Sequence, residues 1–388
     1  MKTLRLKKKE DRRIRRGHPW VFSNEVETPL PGFEPGEPVV VEDYAGKPVG
    51  TGYVNPRSLI AVRLVSRKVE EVGPELIRER VLAARAFRDR LYPGRDTYRA
   101  FYSESDFLPG LVVDRYAGWL SVQSLTAGME RMMPMALDVL GDVYEPEGIV
   151  MRNDSRLREM EGLPLVREAV RGTYGGPVEA GFAGLRMMVD LMEGQKTGFF
   201  LDQVDNYSLL GGISEGAKAL DLFCHTGAWA LSAMKAGASE VTGVDSSAQA
   251  LGVAYENAGL NGAGDSVEFV KSDVFDYLKG LGGRRFDVVV VDPPAFVKSR
   301  TRIAEGLKGY TDLNVRAMKA VRPGGFMVSC SCSHHVDRET FREMLRLAAS
   351  GAGRTVRLLE MRSQSRDHPV LLAVPETEYL KCALVQVL

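Results

Sequence analysis

Hydrophobic positions change their spacing repeatedly along the chain, and each change predicts a different kind of unit. Before about residue 70, short apolar runs alternate with turn residues: Val39 to Val41, Pro48 to Tyr53 and Leu59 to Val65 are broken by Asp43, Gly46 and Asn55-Pro56. Such runs, bounded by turn formers, predict a small β-rich module. From Pro74 to Leu91 the spacing turns helical, and Leu76, Ile77, Val81, Leu82, Ala84 and Phe87 predict the apolar face of an amphipathic helix joining domains. Next come strands near Leu111 to Asp114 and Leu120 to Leu125, a helix near Met132 to Leu140 and a strand near Gly148 to Arg152, a compact α+β unit. From about Gly175, strand, glycine turn and helix recur regularly, which predicts a parallel, doubly wound sheet. The expected architecture is therefore α/β: a β-rich module over residues 1–70, an α+β middle domain over 71–174 and a Rossmann-like sheet over 175–388.

The strand ends of the last part carry polar residues. Ala219 to Phe223 is a short apolar run followed by Cys224-His225-Thr226-Gly227 and a helical run from Ala228 to Ala236. In open α/β sheets a ligand sits beyond the carboxyl ends of the strands, where glycine admits the ligand and a helix N-terminus offers N–H donors. The next strand, Glu240 to Val244, ends at Asp245-Ser246, where a carboxylate can accept hydrogen bonds from ribose hydroxyls. The full G-x-G-x-x-G and P-loop lysine patterns are missing, which argues against nicotinamide, flavin and ATP. A third strand, Val267 to Val270, leads to Ser272-Asp273, a carboxylate suited to the exocyclic amine of adenine. Adenine and ribose without phosphate suit S-adenosylmethionine. The competing reading is that Asp221, Asp245 and Asp273 only cap the elements that follow.

Phe286 to Val291 leads into Asp292-Pro293-Pro294-Ala295-Phe296. Two prolines stiffen this loop; a hydrogen-bonding group at Asp292 and a ring at Phe296 match the Watson–Crick edge and the face of an extruded base. The bland alternative is a stiff turn without a ligand. Phe326 to Val328 runs into Ser329-Cys330-Ser331-Cys332-Ser333-His334-His335, and if the chain stays extended, Cys330, Cys332 and His334 share one face. A thiolate there could add to carbon 6 of a pyrimidine, making carbon 5 nucleophilic toward a methyl group. Asp292 would hold the exocyclic amine and stabilise the adduct. Cys224, Cys330 and Cys382 read as small buried apolar residues, and the Cys-x-Cys-x-His-His spacing matches no usual zinc pattern, so no metal is expected.

Composition changes this picture only locally. Net charge is zero, so attraction to a polyanion must come from clustering, and Lys2 to Arg16 holds nine Lys or Arg residues against Glu10 and Asp11. No apolar stretch is long enough for a membrane span or a secretory segment, and four cysteines form no disulfide framework in a chain of this length, so a cytoplasmic protein is expected.

Lys196-Thr197-Gly198-Phe199-Phe200-Leu201-Asp202-Gln203, Asp221 to Gly227, Asp292-Pro293-Pro294 and Ser331-Cys332-Ser333 resemble the bacterial large-subunit ribosomal RNA cytosine-C5 methyltransferases. The likeness covers the chain: Arg16-Gly17-His18-Pro19-Trp20-Val21-Phe22 and Asn55-Pro56-Arg57-Ser58 are similar to that family's PUA-type RNA-binding domain, and Ser103 to Asp106 with Asp114-Arg115-Tyr116 to its EEHEE middle domain. By this resemblance Cys332 is the nucleophile. S-adenosylmethionine would be held by Lys196, Thr197, Asp221, Phe223, Cys224, His225, Thr226, Gly227, Asp245, Ser246, Asp273 and Asp292. RNA would meet Arg12, Arg13, Arg15 and Arg16 in the basic segment, and Pro293, Pro294 and Phe296 at the base. The sequence departs from the family at His225, usually aromatic there. Another group of RNA cytosine methyltransferases has a second cysteine in the loop at Asp292; here there is none, which leaves water, Asp292 or a residue near His334 to accept the carbon 5 proton. The implied partner is ribosomal RNA, naked or in an early assembly intermediate, with a homodimer also considered. Methylation of an exocyclic amine such as N2 of guanine, and a non-catalytic assembly factor, are the alternatives.

Overall fold

The computed structural model describes residues 1–264, 266–297 and 299–388. Its N-terminal runs pair as β1 (Lys2–Arg5), β2 (Trp20–Val21), β3 (Glu37–Glu42), β4 (Pro48–Val54) and β5 (Val62–Ser66), in the order β1-β3-β4-β5-β2, with the one-turn helix α1 (Arg12–Arg15) after the first strand. The period-two pattern turns Leu4, Val39, Val41, Val62 and Leu64 inward, where they meet Leu6, Ile14 and Val21.

Helix α2 spans Pro74–Leu91, as its spacing predicts, but its buried face differs from the expected one. Leu76, Ile77, Val81, Ala84 and Arg88 are buried, whereas Leu82 and Phe87 are exposed. Residues 77, 81, 84 and 88 follow one line at about 100° per residue, and 82 and 87 fall off it. Arg88 can occupy that line because its guanidinium is fully engaged, by Asp106 Oδ1 at 2.6 Å, Arg99 O at 2.9 Å and Asp367 O at 2.7 Å. Nor is the helix a bare linker: Ile77 and Val81 belong to a core with Tyr98, Phe101, Leu120 and Met129.

That core rests on β6 (Thr97–Tyr102), β7 (Leu111–Tyr116), β8 (Trp119–Ser124), α3 (Ala127–Tyr144), β9 (Gly148–Asn153), the short α4 (Leu157–Met160) and β10 (Val166–Arg171), with strand order β10-β9-β8-β7-β6. Strands β8 and β9 are parallel, and α3 is the crossover such a pair requires. Strands β6 and β10 escape the sequence reading for different reasons. Strand β6 hides a charged residue: Arg99 is buried only because it forks onto Asp114 of β7, at 2.5 and 2.9 Å. Strand β10 is an exposed edge, with no apolar alternation to betray it.

A hairpin follows, β11 (Val178–Phe182) and β12 (Leu185–Val189). Then come β13 (Lys218–Leu222), α5 (Ala228–Lys235), β14 (Glu240–Asp245), α6 (Ala248–Leu260), β15 (Val267–Lys271), α7 (Val274–Gly280), β16 (Phe286–Val291), α8 (Ile303–Ala320), β17 (Val321–Ser331), α9 (Arg338–Ala352), β18 (Val356–Arg362) and β19 (Lys381–Val387). Their seven-stranded sheet has the order β15-β14-β13-β16-β17-β19-β18. The expected parallel sheet is realised from β15 to β17, but β19 is antiparallel to both its neighbours, so the sheet is mixed.

The chain packs as two compact units: 1–180 with 189–201 and 366–377, and 181–188 with 202–365 and 378–388. The β-rich module and the middle sheet share the first unit. Tyr53 of β4 donates its hydroxyl to Pro109 O at 2.5 Å, and Gly128 of α3 lies so close to the Tyr53 ring that a Cβ there would fall 1.9 Å from it.

Candidate active site

The sheet changes direction between β13 and β16, and the strand ends there are level: Leu222 pairs with Val244 on one side and with Val291 on the other. A crevice beyond such a reversal is where open α/β sheets bind ligands. The backbone beyond β13 takes the left-handed conformation at Phe223 (φ +65°), His225 (+49°) and Gly227 (+88°), which bends it into a tight turn before α5. The His225 N–H donates to Asp245 Oδ2 at 3.0 Å, the Ser247 N–H to Asp245 Oδ1 at 2.9 Å, and Asn257 Nδ2 to Thr226 O at 3.0 Å. The turn is thus tied to β14 and α6.

The acidic residues do cap neighbouring elements. Asp221 Oδ2 accepts from Ala230 N at 2.9 Å, and Asp273 Oδ1 from Phe275 N and Asp276 N at 2.8 and 3.1 Å. Capping does not exhaust them. Asp221 Oδ1 and Thr226 Oγ1 are buried without a hydrogen-bond partner among the described residues, an arrangement that calls for a bound polar group. Burial, then the charges of Asp292 and Asp245, hold the Asp221 carboxyl well above the usual carboxylate range. Burial lowers the pKa of His225 against the pull of Asp245, leaving a neutral ring.

Asp292, just past β16, receives Gln203 Nε2 at 3.1 Å and Trp229 Nε1 at 3.0 Å on the same oxygen, Oδ2. Beyond it the loop is fastened to the segment after β17. Val297 N–H donates to Ser333 Oγ at 3.2 Å, Phe296 N–H to the Tyr310 hydroxyl at 3.3 Å, and that hydroxyl lies 2.9 Å from Ser333 Oγ. Phe296 leans on the Tyr310 ring, centroids 4.7 Å apart. Pro293 is buried and Pro294 exposed.

The two cysteines of this segment are unlike. Cys330 is fully buried on β17, its Sγ 3.3 Å from that of Cys382 on β19, and burial with its cysteine neighbour pushes its thiol pKa well up. Burial does the same to Cys224. Cys332 is half-buried, one residue past the end of β17. The extended chain stops there: a turn closed by Val336 N to Ser333 O, at 3.1 Å, carries His334 off the strand and onto the Tyr379 ring. Cys330, Cys332 and His334 therefore do not continue one strand face.

A PUA-like domain family matches residues 4–67, and the S-adenosylmethionine-dependent methyltransferase family matches residues 169–360. Ribosomal RNA large subunit methyltransferase I of Serratia proteamaculans is 36% identical over 97% of this chain and 97% of its own. The enzyme of the same name from Shewanella amazonensis is 36% identical over 99% of each. The chain belongs to the ribosomal RNA large subunit methyltransferase I family. In fold, this methyltransferase is similar over the full length of both chains to a solved methyltransferase complexed with SAH (TM-score 0.87, 19% identity) and to a SAM-dependent methyltransferase from Streptococcus mutans (0.84, 19%). Its cofactor is S-adenosylmethionine. The orphaned oxygens of Asp221 and Thr226 fit a nucleoside seated beyond β13 and β14.

Within its second unit the methyltransferase gathers Asp221, Phe223, Cys224, His225, Thr226, Gly227, Asp245, Ser246, Asp273, Asp292 and Cys332 along five strand ends. Lys196 and Thr197 belong to the first unit, where Lys196 Nζ lies 4.6 Å from the Phe200 ring centre and the Thr197 hydroxyl donates to Asp114. The basic residues of α1 are not equivalent. Arg12, Arg15 and Arg16 are exposed and Arg13 half-buried, and two of the four are already paired, Arg13 with Glu25 at 2.9 Å and Arg15 with Asp43 at 2.7 Å. Sequence reasoning missed Gln203, Trp229, Tyr310 and Lys381, each set beside Asp292 or Cys332 by a different element. Gln203 did stand in the Lys196 to Gln203 motif, so that one left a trace.

Proposed function

We propose that this methyltransferase forms 5-methylcytosine in large-subunit ribosomal RNA, with Cys332 as nucleophile and Asp292 as the group that reads the base. The supporting observation is the fastening of the Asp292 loop to the Ser-Cys-Ser segment through Val297, Tyr310 and Ser333, which brackets a half-buried Cys332. The Cys332 thiolate adds to carbon 6 of the cytosine, forming a C–S bond and making carbon 5 electron-rich. Bound S-adenosylmethionine supplies an electrophilic methyl group. Loss of the carbon 5 proton, to water, Asp292 or a residue near His334, then expels the thiolate and restores the ring. Asp292, fixed by two donors on Oδ2, accepts from the cytosine exocyclic amine, a contact uracil cannot make. Pro293, Pro294 and Phe296 form the wall for the flipped ring. The PUA-like domain, through Arg12 and Arg16, grips phosphates.

Incubation with labelled S-adenosylmethionine and unmodified ribosomal RNA, followed by nucleoside analysis, tests this reading; labelled 5-methylcytosine is expected, and labelled N2-methylguanine would refute it. Cys332→Ser should abolish turnover and the covalent trap on 5-fluorocytosine RNA, while Cys330→Ala should retain both.

A further inference from the structure

Lys381 opens β19 and is 2% exposed, an unusual place for an ammonium group. Its backbone pairs with Ser331, the residue before Cys332, and its Nζ donates to the carbonyl of Ser333, the residue after, at 2.7 Å. Cys332 is thus straddled by two contacts with one lysine. A second N–H goes to Tyr379 O at 2.8 Å. Carbonyl oxygens solvate a cation but do not neutralise it. The groups acting on Lys381 by charge are Cys332 first, then Glu378 and Asp337. Both carboxylates are engaged elsewhere: Glu378 takes Arg338 Nε at 2.7 Å, and Asp337 caps α9 through Thr340 N at 2.7 Å. Tyr310 also faces Cys332, but burial raises its phenol pKa and keeps it neutral.

We propose that Lys381 is the positioning residue that holds Cys332 as a thiolate, its buried ammonium serving as the counter-ion of the nucleophile. This rests on the reading of Cys332 as nucleophile given above. The thiol proton leaves to solvent before RNA binds, and the ammonium keeps its own, so the pair is S⁻ beside NH₃⁺. When the C–S bond forms the sulfur loses its negative charge, and when the bond breaks the ammonium stabilises the departing thiolate. Burial pushes the Lys381 pKa down to about 8, so the pair persists through neutral pH and dissolves on the alkaline side as the lysine gives up its proton.

The test is the pH dependence of Cys332 alkylation by iodoacetamide, followed by mass spectrometry on the full-length protein. In the wild type the midpoint should lie below the ordinary thiol value of about 8.5. Lys381→Gln keeps donors for Ser333 O and Tyr379 O but removes the charge, and should raise the midpoint by about 1 to 3 pH units; Lys381→Arg should keep it low. The acidic limb of kcat/KM on ribosomal RNA should move with it. A folded Lys381→Gln protein with an unmoved midpoint overturns the proposal. Should that variant fail to fold, a wild-type midpoint at or above about 8.5 overturns it equally. Alkylation involves no RNA, so a labelled nucleoside other than 5-methylcytosine would sink the proposed function while leaving this pairing to stand or fall by its own measurement.

Discussion

Removing one of the two donors on Asp292 probes how finely that carboxylate must be held. Trp229→Phe deletes the Nε1–H bond of 3.0 Å to Asp292 Oδ2 while keeping a ring for the edge contact with Tyr207, whose centroid lies 4.8 Å away. A hydrogen bond to a charged acceptor contributes about 1.5–3 kcal/mol. If half of that is felt at the transition state, kcat/KM should fall about 3- to 12-fold, since about 1.4 kcal/mol corresponds to a factor of ten. Gln203→Leu removes the other donor, 3.1 Å away, and leaves Asn206 Nδ2 with its bond to Ser363 O at 3.1 Å but without the one to Gln203 Oε1 at 2.7 Å. Because both donors share one oxygen, the two losses should not add: a coupling of about 0.5–3 kcal/mol is expected for such neighbours. The assay is steady-state methylation of ribosomal RNA for wild type, both single variants and the double variant, with melting temperature and S-adenosylmethionine affinity measured in parallel. If both single variants stay within about two-fold of wild-type kcat/KM, well under 1 kcal/mol, the carboxylate needs no such holding and the reasoning fails.

Three further outcomes follow from single residues. Asp221 binds its proton more tightly folded than unfolded, so it stabilises the protein fully below the unfolded carboxyl value of about 3.9 and loses that contribution as pH rises toward its folded value. Asp221→Asn in the cofactor-free protein should therefore melt higher than wild type at pH 8, with a gap that closes near pH 4; a gap independent of pH would count against the burial argument. Asp106→Ala leaves the Arg88 guanidinium buried without its 2.6 Å partner, and urea unfolding should register a loss of about 3–5 kcal/mol. Arg12→Ala and Arg16→Ala should each lower the slope of log affinity against log salt for ribosomal RNA by about 1, whereas Arg13→Ala should not, because Arg13 is already spent on Glu25; equal effects at all three positions would refute that division.

The sites the sequence made legible were those where local chain chemistry suffices. Asp221, Asp245 and Asp273 follow apolar runs, so their place at strand ends could be read from spacing, and Asp292 announced itself by the prolines after it, whereas Cys332 was singled out from Cys330 only by the family resemblance. Positions whose burial depends on a distant partner could not be read this way. Arg88 and Arg99 look like surface residues until Asp106 and Asp114 arrive from other strands and turns, and the Leu82 and Phe87 side chains look like core until the helix chooses which line to bury.

Periodicity and turn chemistry determined most of the run of strands and helices, β6 and β10 excepted, and the character of the strand ends in the second unit, because both arise from residues within a few positions of one another. Only the tertiary structure decided which strand ends meet. The seat of β19 between β17 and β18 brings Lys381 to Cys332 across a separation of 49 residues in the chain, 381 less 332, and the same pairing buries Cys330 against Cys382. No local pattern encodes that choice, since it comes from closing long loops onto a shared core, where the free energy belongs to the assembled sheet and to no single segment.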